Sequence, residues 1–193
     1  MQYQIFSKVS LTNWIKKNCN LIPEKEYIDN FLLSCVAYCV ATFVLGIGDR
    51  HNDNIMLKKN GEIFHIDFGH FLGHVKYKMG IKREWAPFVF TAQFQDVLGG
   101  EDGENYAIFK TLLWNAYSIL RKNCENLITL LRILVITGIP ELNENTIKFL
   151  GNSLDLKEHS DEEAKKFLEK KLYDSLNSVS TKVNFAIHIV ANG

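Results

Sequence analysis

The sequence has no net charge and few cysteines, and both features exclude whole classes of protein. Lys plus Arg and Asp plus Glu both number 22, so bulk electrostatics do not predict a polyanionic partner such as nucleic acid. The four cysteines include no CxxC pair, and no secretory leader precedes them. This pattern favours free thiols in a reducing, intracellular setting. Any basic effect on a ligand has to be local.

Glycine loops that hold nucleotide phosphates are also missing from the sequence. There is no GxxxxGK[ST] segment, and Gly46-Ile-Gly48 lacks the third glycine of a GxGxxG motif. The longest apolar stretch, residues 31–47, is interrupted by polar side chains and runs into Gly46 and Gly48. It therefore predicts a buried helix rather than a membrane span.

The sequence contains a series of helical patterns around one short hairpin. Its 193 residues are 47% hydrophobic, enough for one domain, or one lobe of a larger domain, with a substantial core. Apolar residues at three- and four-residue spacing predict a long helix that starts after Pro23 and ends at the glycines near residue 46. Further helices are predicted over 10–18, 106–122, 124–137, 146–150, from the capping box at Ser160 onward, and over 178–191. The predicted fold class is mainly α with a small β-hairpin.

The hairpin is predicted from Asn60-Gly61, the strongest short signal for a two-residue type I′ turn. Pairing outward from that turn gives the partners Leu57–Phe64, Met56–His65, Ile55–Ile66 and Asn54–Asp67. Directly opposed side chains lie on one face about 5 Å apart, so an amide oxygen of Asn54 and the Asp67 carboxylate would meet. Such oxygens suit Mg²⁺ with phosphate, and the sequence predicts a magnesium-phosphate site here. The alternative is a simple turn after a strand.

Two histidines, His51 and His70, flank this pair. A histidine can take a proton from an attacking hydroxyl, because its ordinary pKa near 6.5 suits work around neutrality. The alternative for either is a structural or surface role, which is the prediction for His65 and His74. A zinc site built from all four histidines would have no cysteine partner.

A basic segment follows the predicted metal site. Residues 70–85 are predicted to be flexible, and they carry four fixed positive charges within eight residues, at Lys76, Lys78, Lys82 and Arg83. Near an anionic membrane each cation contributes about 1 kcal/mol. The position of the cluster favours contact with an anionic substrate over the alternative of a solvated loop.

The segment Gly-Asp49-Arg-His51-Asn-Asp-Asn54, followed by His-Ile-Asp67-Phe-Gly-His70, resembles the catalytic and activation-loop signature of phosphoinositide 3-kinases. Its Asp-Arg-His order differs from the His-Arg-Asp of ordinary protein kinases. The resemblance runs nearly end to end and implies the carboxy-terminal lobe of a protein-kinase-like fold over residues 1–193. It implies a catalytic loop at 46–54, an activation loop at 67–87 and a helical region at 88–193. The amino lobe would precede residue 1 and is absent.

The resemblance implies ATP-dependent phosphorylation of the inositol 3-hydroxyl of a membrane lipid, with ATP and Mg²⁺ as cofactors. Asn54 and Asp67 would hold magnesium, His51 would be the base, and His70 would assist at the transferring phosphate. Asp49 would order the catalytic loop together with Arg50. Met56 and Ile66 resemble floor residues of the adenine pocket. The predicted register puts those two on opposite faces, so one of them requires a local bend.

The basic segment resembles the class I pattern associated with phosphatidylinositol 4,5-bisphosphate, so Lys76, Lys78, Lys82 and Arg83 are the expected substrate-binding residues. Trp85-Ala86 departs from the class I pattern, and the Ala-Pro-Phe stretch that starts at Ala86 is closer to class II, which leaves the headgroup open. The resemblance also implies a regulatory subunit or a small GTPase as partner, and a cytoplasmic protein recruited to the inner face of the plasma membrane or to other membranes. We expect residues 1–193 alone to be inactive, because half of the phosphate clamp is missing.

Two other readings remain open from the sequence. A related serine/threonine protein kinase shares the Asp-Arg-His order, but such kinases resemble Asp-Phe-Gly followed by an acid, whereas His70 follows here. A non-catalytic remnant that only binds membranes or partners would not need Asp49, His51, Asn54 and Asp67, all of which are present.

Overall fold

The computed structural model describes residues 10–50, 54–74, 86–154 and 160–178, and the backbone alone of 77–78 and 81–82. Within these residues the helices are α1 (Leu11–Asn18), α2 (Glu24–Val44), α3 (Ala92–Val97), α4 (Glu104–Lys122), α5 (Cys124–Ile136), α6 (Glu144–Ser153) and α7 (Asp161–Asn177). The strands are β1 (Ile55–Leu57), β2 (Ile63–His65), β3 (Tyr77–Lys78) and β4 (Ile81–Lys82). The prediction of a mainly helical fold with a small hairpin is confirmed.

Helix α2 lies at the centre of the core and contacts α4, α6 and β2. Pro23 precedes it, and Glu24 and Glu26 occupy its first turn. Their negative charges stabilise the helix there, because its amino end carries the positive end of the helix dipole. Its length and composition alone would allow it to span a membrane. Instead, side chains such as Phe31 and Cys35 are fully buried inside the protein, so the predicted buried helix is confirmed.

The other helical predictions agree with the structure apart from two differences. Helix α6 is longer than the predicted 146–150, and α3 was not predicted at all, because six residues are too few to show a helical period. The capping box is confirmed: Ser160 accepts from the backbone N–H of Glu163, whose carboxylate accepts from the N–H of Ser160. Apart from Ser178, the predicted helix at 178–191 lies outside the described residues.

Residues 86–98 lead from the basic segment back into the core. The Cys39 thiol on α2 donates to the carbonyl of Val89 at 3.7 Å. Phe90 stacks on Phe109 with ring centroids 4.6 Å apart, and Phe94 meets Phe31 edge-on at 5.5 Å. These rings are fully buried and fix the far end of the predicted activation loop.

The first hairpin forms, but its register differs by one residue from the predicted one. The observed pairs are Ile55–His65, Met56–Phe64 and Leu57–Ile63. The loop holds three residues, since Lys58 pairs with Glu62 and Gly61 donates to the carbonyl of Lys58 at 3.1 Å. A type I′ turn needs positive φ at both central residues. Of the Asn60-Gly61 pair only Gly61 has it, at +88°.

Side chains of α2 hold this loop in place. Asn30 Nδ2 donates to the Asn60 carbonyl at 2.9 Å, and the Ser34 hydroxyl accepts from the backbone N–H of Ile63 at 3.0 Å. A one-residue slip moves every strand side chain to the other face. The observed register is thus the one in which α2 makes these hydrogen bonds to the hairpin, and turn propensity alone predicted a different register.

The basic segment contains a second antiparallel pair, although it was predicted to be flexible throughout. Strand β3 pairs with β4, with Tyr77 opposite Lys82 and Lys78 opposite Ile81. Two of the four predicted substrate-binding cations, Lys78 and Lys82, thus lie on paired backbone. Nothing about their side chains is described.

Candidate active site

The predicted direct opposition of Asn54 and Asp67 is wrong, but the two residues still lie next to each other along the hairpin. The backbone N–H of Ile66 donates to the carbonyl of Asn54 at 3.0 Å, so Ile66 is the residue that faces Asn54. Asp67 is the next residue along. It has a φ of +58°, which takes it out of the extended backbone and ends the strand alternation.

The observed register also removes the conflict over the predicted adenine floor. Because Met56 pairs with Phe64, and Ile66 follows two residues later, Met56 and Ile66 lie on the same face of the hairpin. This face is open at its Ile66 end, where Ile66 is 39% exposed, whereas Met56 is only 7% exposed. The opposite face, which packs into the core, consists of Ile55, Leu57, Ile63 and His65, each at most 5% exposed. No local bend is needed for Met56 and Ile66 to contact one ligand.

Asn54 is buried, and a hydrogen bond to the preceding loop orients its side chain. Its Nδ2 donates to the carbonyl of Asp49 at 2.6 Å, so the amide oxygen remains the acceptor of that side chain. Asp49, like Asp67, has a left-handed backbone, with φ +57°. Such a conformation costs a non-glycine residue about 1–2 kcal/mol, and residues of this kind concentrate at functional sites.

Arg50 joins the two halves of the site. Its Nε donates to the carbonyl of Gly48 at 2.8 Å, and its Nη1 donates to the carbonyl of Ile66 at 2.7 Å. Its Nη2 donates to the carbonyl of Asp67, and the guanidinium lies 5.5 Å from the centre of the Phe68 ring. A planar guanidinium can serve three carbonyls at once because its donors form a rigid fork. Arg50 therefore fixes the backbone that carries Asp67 to the loop that carries Asp49.

Two backbone hydrogen bonds continue this junction. The N–H of Gly48 donates to the carbonyl of His70 at 2.9 Å, and the N–H of Leu72 donates to the carbonyl of Leu45 at 2.6 Å. The predicted catalytic loop and the start of the predicted activation loop thus run side by side. His70, half-buried, lies at their junction.

His65 belongs to the core and not to the site. Its ring stacks on Tyr38 with centroids 4.5 Å apart, and its Nδ1 has no hydrogen-bond partner in the described part of the chain. Burial, and secondarily the Arg50 charge, lowers the pKa of His65 to about 3. The predicted structural role is confirmed. Tyr38 had no role in the sequence analysis, and nothing in its spacing marks it.

The zinc alternative loses support from two of its four histidines. His65 is enclosed in the core, and His74 Nε2 lies 2.6 Å from the carbonyl of Glu141. Across the described ranges no group of three or more His, Cys, Asp and Glu side chains could hold a metal ion. The donor set fits magnesium better, because Mg²⁺ is commonly bound by one or two protein oxygens, its other ligands being phosphate and water. Asn54 offers an amide oxygen, and Asp67 an exposed carboxylate.

Some of the predicted site residues lie outside the described residues. His51, Lys76 and Arg83 are among them, so their roles remain predictions. The structure brings together Asp49, Asn54, Asp67 and His70, with Met56 and Ile66 on the adjoining hairpin face.

Comparison with known proteins agrees with these features. A family model described as "Phosphatidylinositol 3- and 4-kinase" matches residues 3–144. The chain is 44% identical over 191 residues to "Phosphatidylinositol 3-kinase 3" of Dictyostelium discoideum, which covers 97% of the chain and 11% of that relative.

Human relatives show similar likeness. The chain is 41% identical over 192 residues to "Phosphatidylinositol 4-phosphate 3-kinase C2 domain-containing subunit beta", covering 96% of the chain and 12% of the relative. It is 40% identical over 186 residues to "Phosphatidylinositol 3-kinase C2 domain-containing subunit gamma", covering 94% and 12%. The chain thus spans about a tenth of the length of these curated relatives.

Proposed function

The chain belongs to the phosphatidylinositol 3- and 4-kinase family, and from that premise we propose that it forms the carboxy-terminal half of an ATP-dependent lipid kinase site. The reaction transfers a phosphoryl group to the inositol 3-hydroxyl of a phosphatidylinositol lipid. The observation that carries the proposal is the junction at Arg50, which ties the loop at 48–50 to the backbone of Ile66 and Asp67.

Asn54 and Asp67 are the proposed magnesium ligands. The amide oxygen of Asn54 is the proposed ligand atom, since Nδ2 donates to the carbonyl of Asp49, and Arg50 holds the backbone from which the Asp67 carboxylate extends. When bound, Mg²⁺ supplies positive charge for the phosphate oxygens. Phosphoryl transfer depends chiefly on positioning and charge, so the rigidity of this junction is itself part of the function.

The remaining roles divide between the two loops. His51 is the proposed base that takes the proton of the inositol hydroxyl, and His70 the proposed donor to the transferring phosphate. Asp49 keeps the loop in its left-handed turn. Met56 and Ile66 provide the apolar floor for the adenine of ATP, since both lie on the same face of the hairpin.

The proposed substrate is an anionic phosphoinositide at a membrane surface, with the 4,5-bisphosphate as the preferred headgroup. The cations Lys76, Lys78, Lys82 and Arg83 support this choice. One relative is named for phosphatidylinositol 4-phosphate, so a panel of headgroups decides between them. We also propose that the protein is cytoplasmic and is recruited to the inner face of the plasma membrane or to other membranes. There it would act in phosphoinositide signalling together with a regulatory subunit or a small GTPase.

We further propose that residues 1–193 alone transfer little phosphate. The longer relatives have room for the amino lobe that would hold the nucleotide phosphates from above. Vigorous lipid phosphorylation by the purified 193-residue chain would contradict this part of the proposal.

The test uses the complete kinase that carries this sequence. Asn54→Ala and Asp67→Asn should each lower turnover of phosphoinositide vesicles by at least about 100-fold, by removing charge stabilisation of the transferring group. Asp96→Asn, an exposed acid on α3, is the matched control and should retain wild-type turnover. A peptide substrate included beside the lipids tests the protein-kinase alternative, which predicts phosphate on the peptide alone. Full activity of both site variants would exclude the proposed ligands.

A further inference from the structure

The ring of Phe149, on α6, lies against two glycines that are distant in sequence. A Cβ added to Gly46 would come within 2.3 Å of Phe149 Cζ, and a Cβ added to Gly73 within 3.0 Å of its Cδ2. Real Cβ atoms do not approach other atoms to 2.3 Å, so a glycine at position 46 is what lets the ring sit there. Both glycines have positive φ, +57° and +88°.

These glycines flank the junction of the two loops. Gly46 precedes Gly48, whose N–H bonds to the carbonyl of His70, and Gly73 follows Leu72, whose N–H bonds to the carbonyl of Leu45. The ring thus lies across Gly46, where the predicted catalytic loop begins, and Gly73 of the predicted activation loop, and the two glycines are themselves adjacent, because a Cβ added to Gly46 would lie 3.3 Å from the backbone nitrogen of Gly73. Phe149 has no part in the chemistry proposed for the site.

Helix α6 is itself fixed to the end of α2. The Ser153 hydroxyl is buried and donates to the carbonyl of Val44 at 2.8 Å. Phe149 is one turn away on the same helix, so its backbone cannot shift freely relative to Gly46. The start of α6 is further fixed by a capping box, in which the side chains of Asn143 and Thr146 each accept a hydrogen bond from the other residue's backbone N–H.

We propose that Phe149 is a positioning residue: its ring packs across Gly46 and Gly73 and so fixes the spacing of the loop at 46–50 relative to the segment at 67–73. The role in catalysis rests on the proposed function, whereas the spacing role does not. Among the described residues, the Arg50 fork and two backbone hydrogen bonds also join the two loops. Filling the space beside them keeps Asp67 and His70 at a fixed distance from Asp49 and Asn54.

We expect substitution of Phe149 to lower the catalytic rate, although Phe149 is not one of the residues proposed to take part in the chemistry. A misplacement of about 1 Å by a change far from the chemistry can cost up to about 100-fold in rate. Phe149→Ala should therefore lower kcat about tenfold or more in the complete kinase, with a change in the KM for lipid of less than about threefold. Phe149→Leu, which keeps apolar bulk, should recover most of kcat.

Hydrogen exchange tests the spacing role independently of activity. In the complete kinase, Phe149→Ala should speed the exchange of the Gly48 and Leu72 amides at least about tenfold and leave the Ile63 amide unchanged. Phe167→Ala is the matched control, because Phe167 is also a partly buried ring packed against the core, on α7. Equal exchange at Gly48 and Leu72 in both variants would overturn the proposal.

A second variant at the other side of the contact keeps the proposal testable if Phe149→Ala is poorly folded. Gly46→Ala should push the ring away and lower kcat, whereas Gly100→Ala should not, because Gly100 has a similar positive φ (+83°) but no atom within 4 Å of its added Cβ. Combining Gly46→Ala with Phe149→Ala should cost no more than the worse single variant. Additive losses would contradict a shared contact. If no variant or wild type phosphorylates lipid, the proposed function fails while the exchange result still decides the spacing role.

Discussion

Removing the Arg50 side chain should loosen the site before it unfolds the protein. Arg50 donates to the carbonyls of Gly48, Ile66 and Asp67, so Arg50→Ala deletes two hydrogen bonds between the two loops and one within the loop at 48–50. The two loops that Arg50 connects both contain an uncommon backbone conformation, because Asp49 and Asp67 have positive φ. Once the fork is gone, these residues can relax toward ordinary backbone.

The size of the effect follows from the exposure of these bonds. A buried hydrogen bond involving a charged group contributes about 1.5–3 kcal/mol. The bonds to Ile66 and Asp67 lie at the surface, where water replaces much of what is lost. We therefore expect Arg50→Ala to lower the free energy of unfolding by about 1–2 kcal/mol. The local effect should be larger, because two of these bonds join the loop at 48–50 to the backbone of Ile66 and Asp67.

Arg50→Lys separates fork geometry from charge. Lysine keeps the charge but has a single ammonium group and cannot reproduce the planar fork, so it should behave like Arg50→Ala within about threefold. The assays are urea unfolding of residues 1–193, exchange of the Ile66 amide with the Ile63 amide as control, and lipid turnover by the complete kinase. Wild-type exchange and turnover in Arg50→Lys would show that the fork is not what holds Asp67.

Three further predictions concern stability. Because the pKa of His65 in the folded protein is about 3, below its ordinary 6.5, stability is fully present above pH 6.5 and is lost as the pH falls toward 3. His65→Phe should therefore remove about 2 kcal/mol of the loss between pH 7.5 and pH 5 in urea unfolding, and an unchanged pH profile would contradict the burial of a neutral ring. Gly100→Ala should lower the free energy of unfolding by about 1–2 kcal/mol. Gly61→Ala should lower it by more, because its Cβ would lie 2.3 Å from the Tyr27 carbonyl oxygen. Equal losses of stability in thermal unfolding would exclude that contact. Phe31→Ala should cost about 3–5 kcal/mol, since its ring is fully buried, and a loss below about 1 kcal/mol would argue against its place in the core.

Helix positions were predictable because they depend on local periodicity and caps. The three- and four-residue spacing of apolar residues after Pro23 and the capping box at Ser160 are local signals, and α2 and α7 begin at these positions. Helix α3 was missed since its six residues carry only the Thr91 cap as a local mark. Its stability comes from the burial of Phe94 against other rings, which no local pattern shows.

The site was predictable in its residue types but not in its geometry. Turn propensity placed Asn54 opposite Asp67, yet contacts from Asn30 and Ser34 on α2 accompany a register displaced by one residue. Short hairpins are prone to this error, because the register depends on loop length as much as on residue preference. The junction at Arg50 depends on positive φ at non-glycine residues, which sequence patterns do not reveal. The contact of Phe149 with two glycines joins residues about 75 to 100 positions apart, so it required the fold.

The decisive measurement is the transfer of labelled phosphate from ATP to vesicles of phosphatidylinositol, its 4-phosphate and its 4,5-bisphosphate by the complete kinase, with wild type and Asp67→Asn side by side. We expect wild type to place phosphate on the inositol 3-hydroxyl, and Asp67→Asn to lose at least about 100-fold in rate. Equal rates in the two proteins, or phosphate found only on an added peptide, would contradict a lipid kinase site built on Asn54 and Asp67.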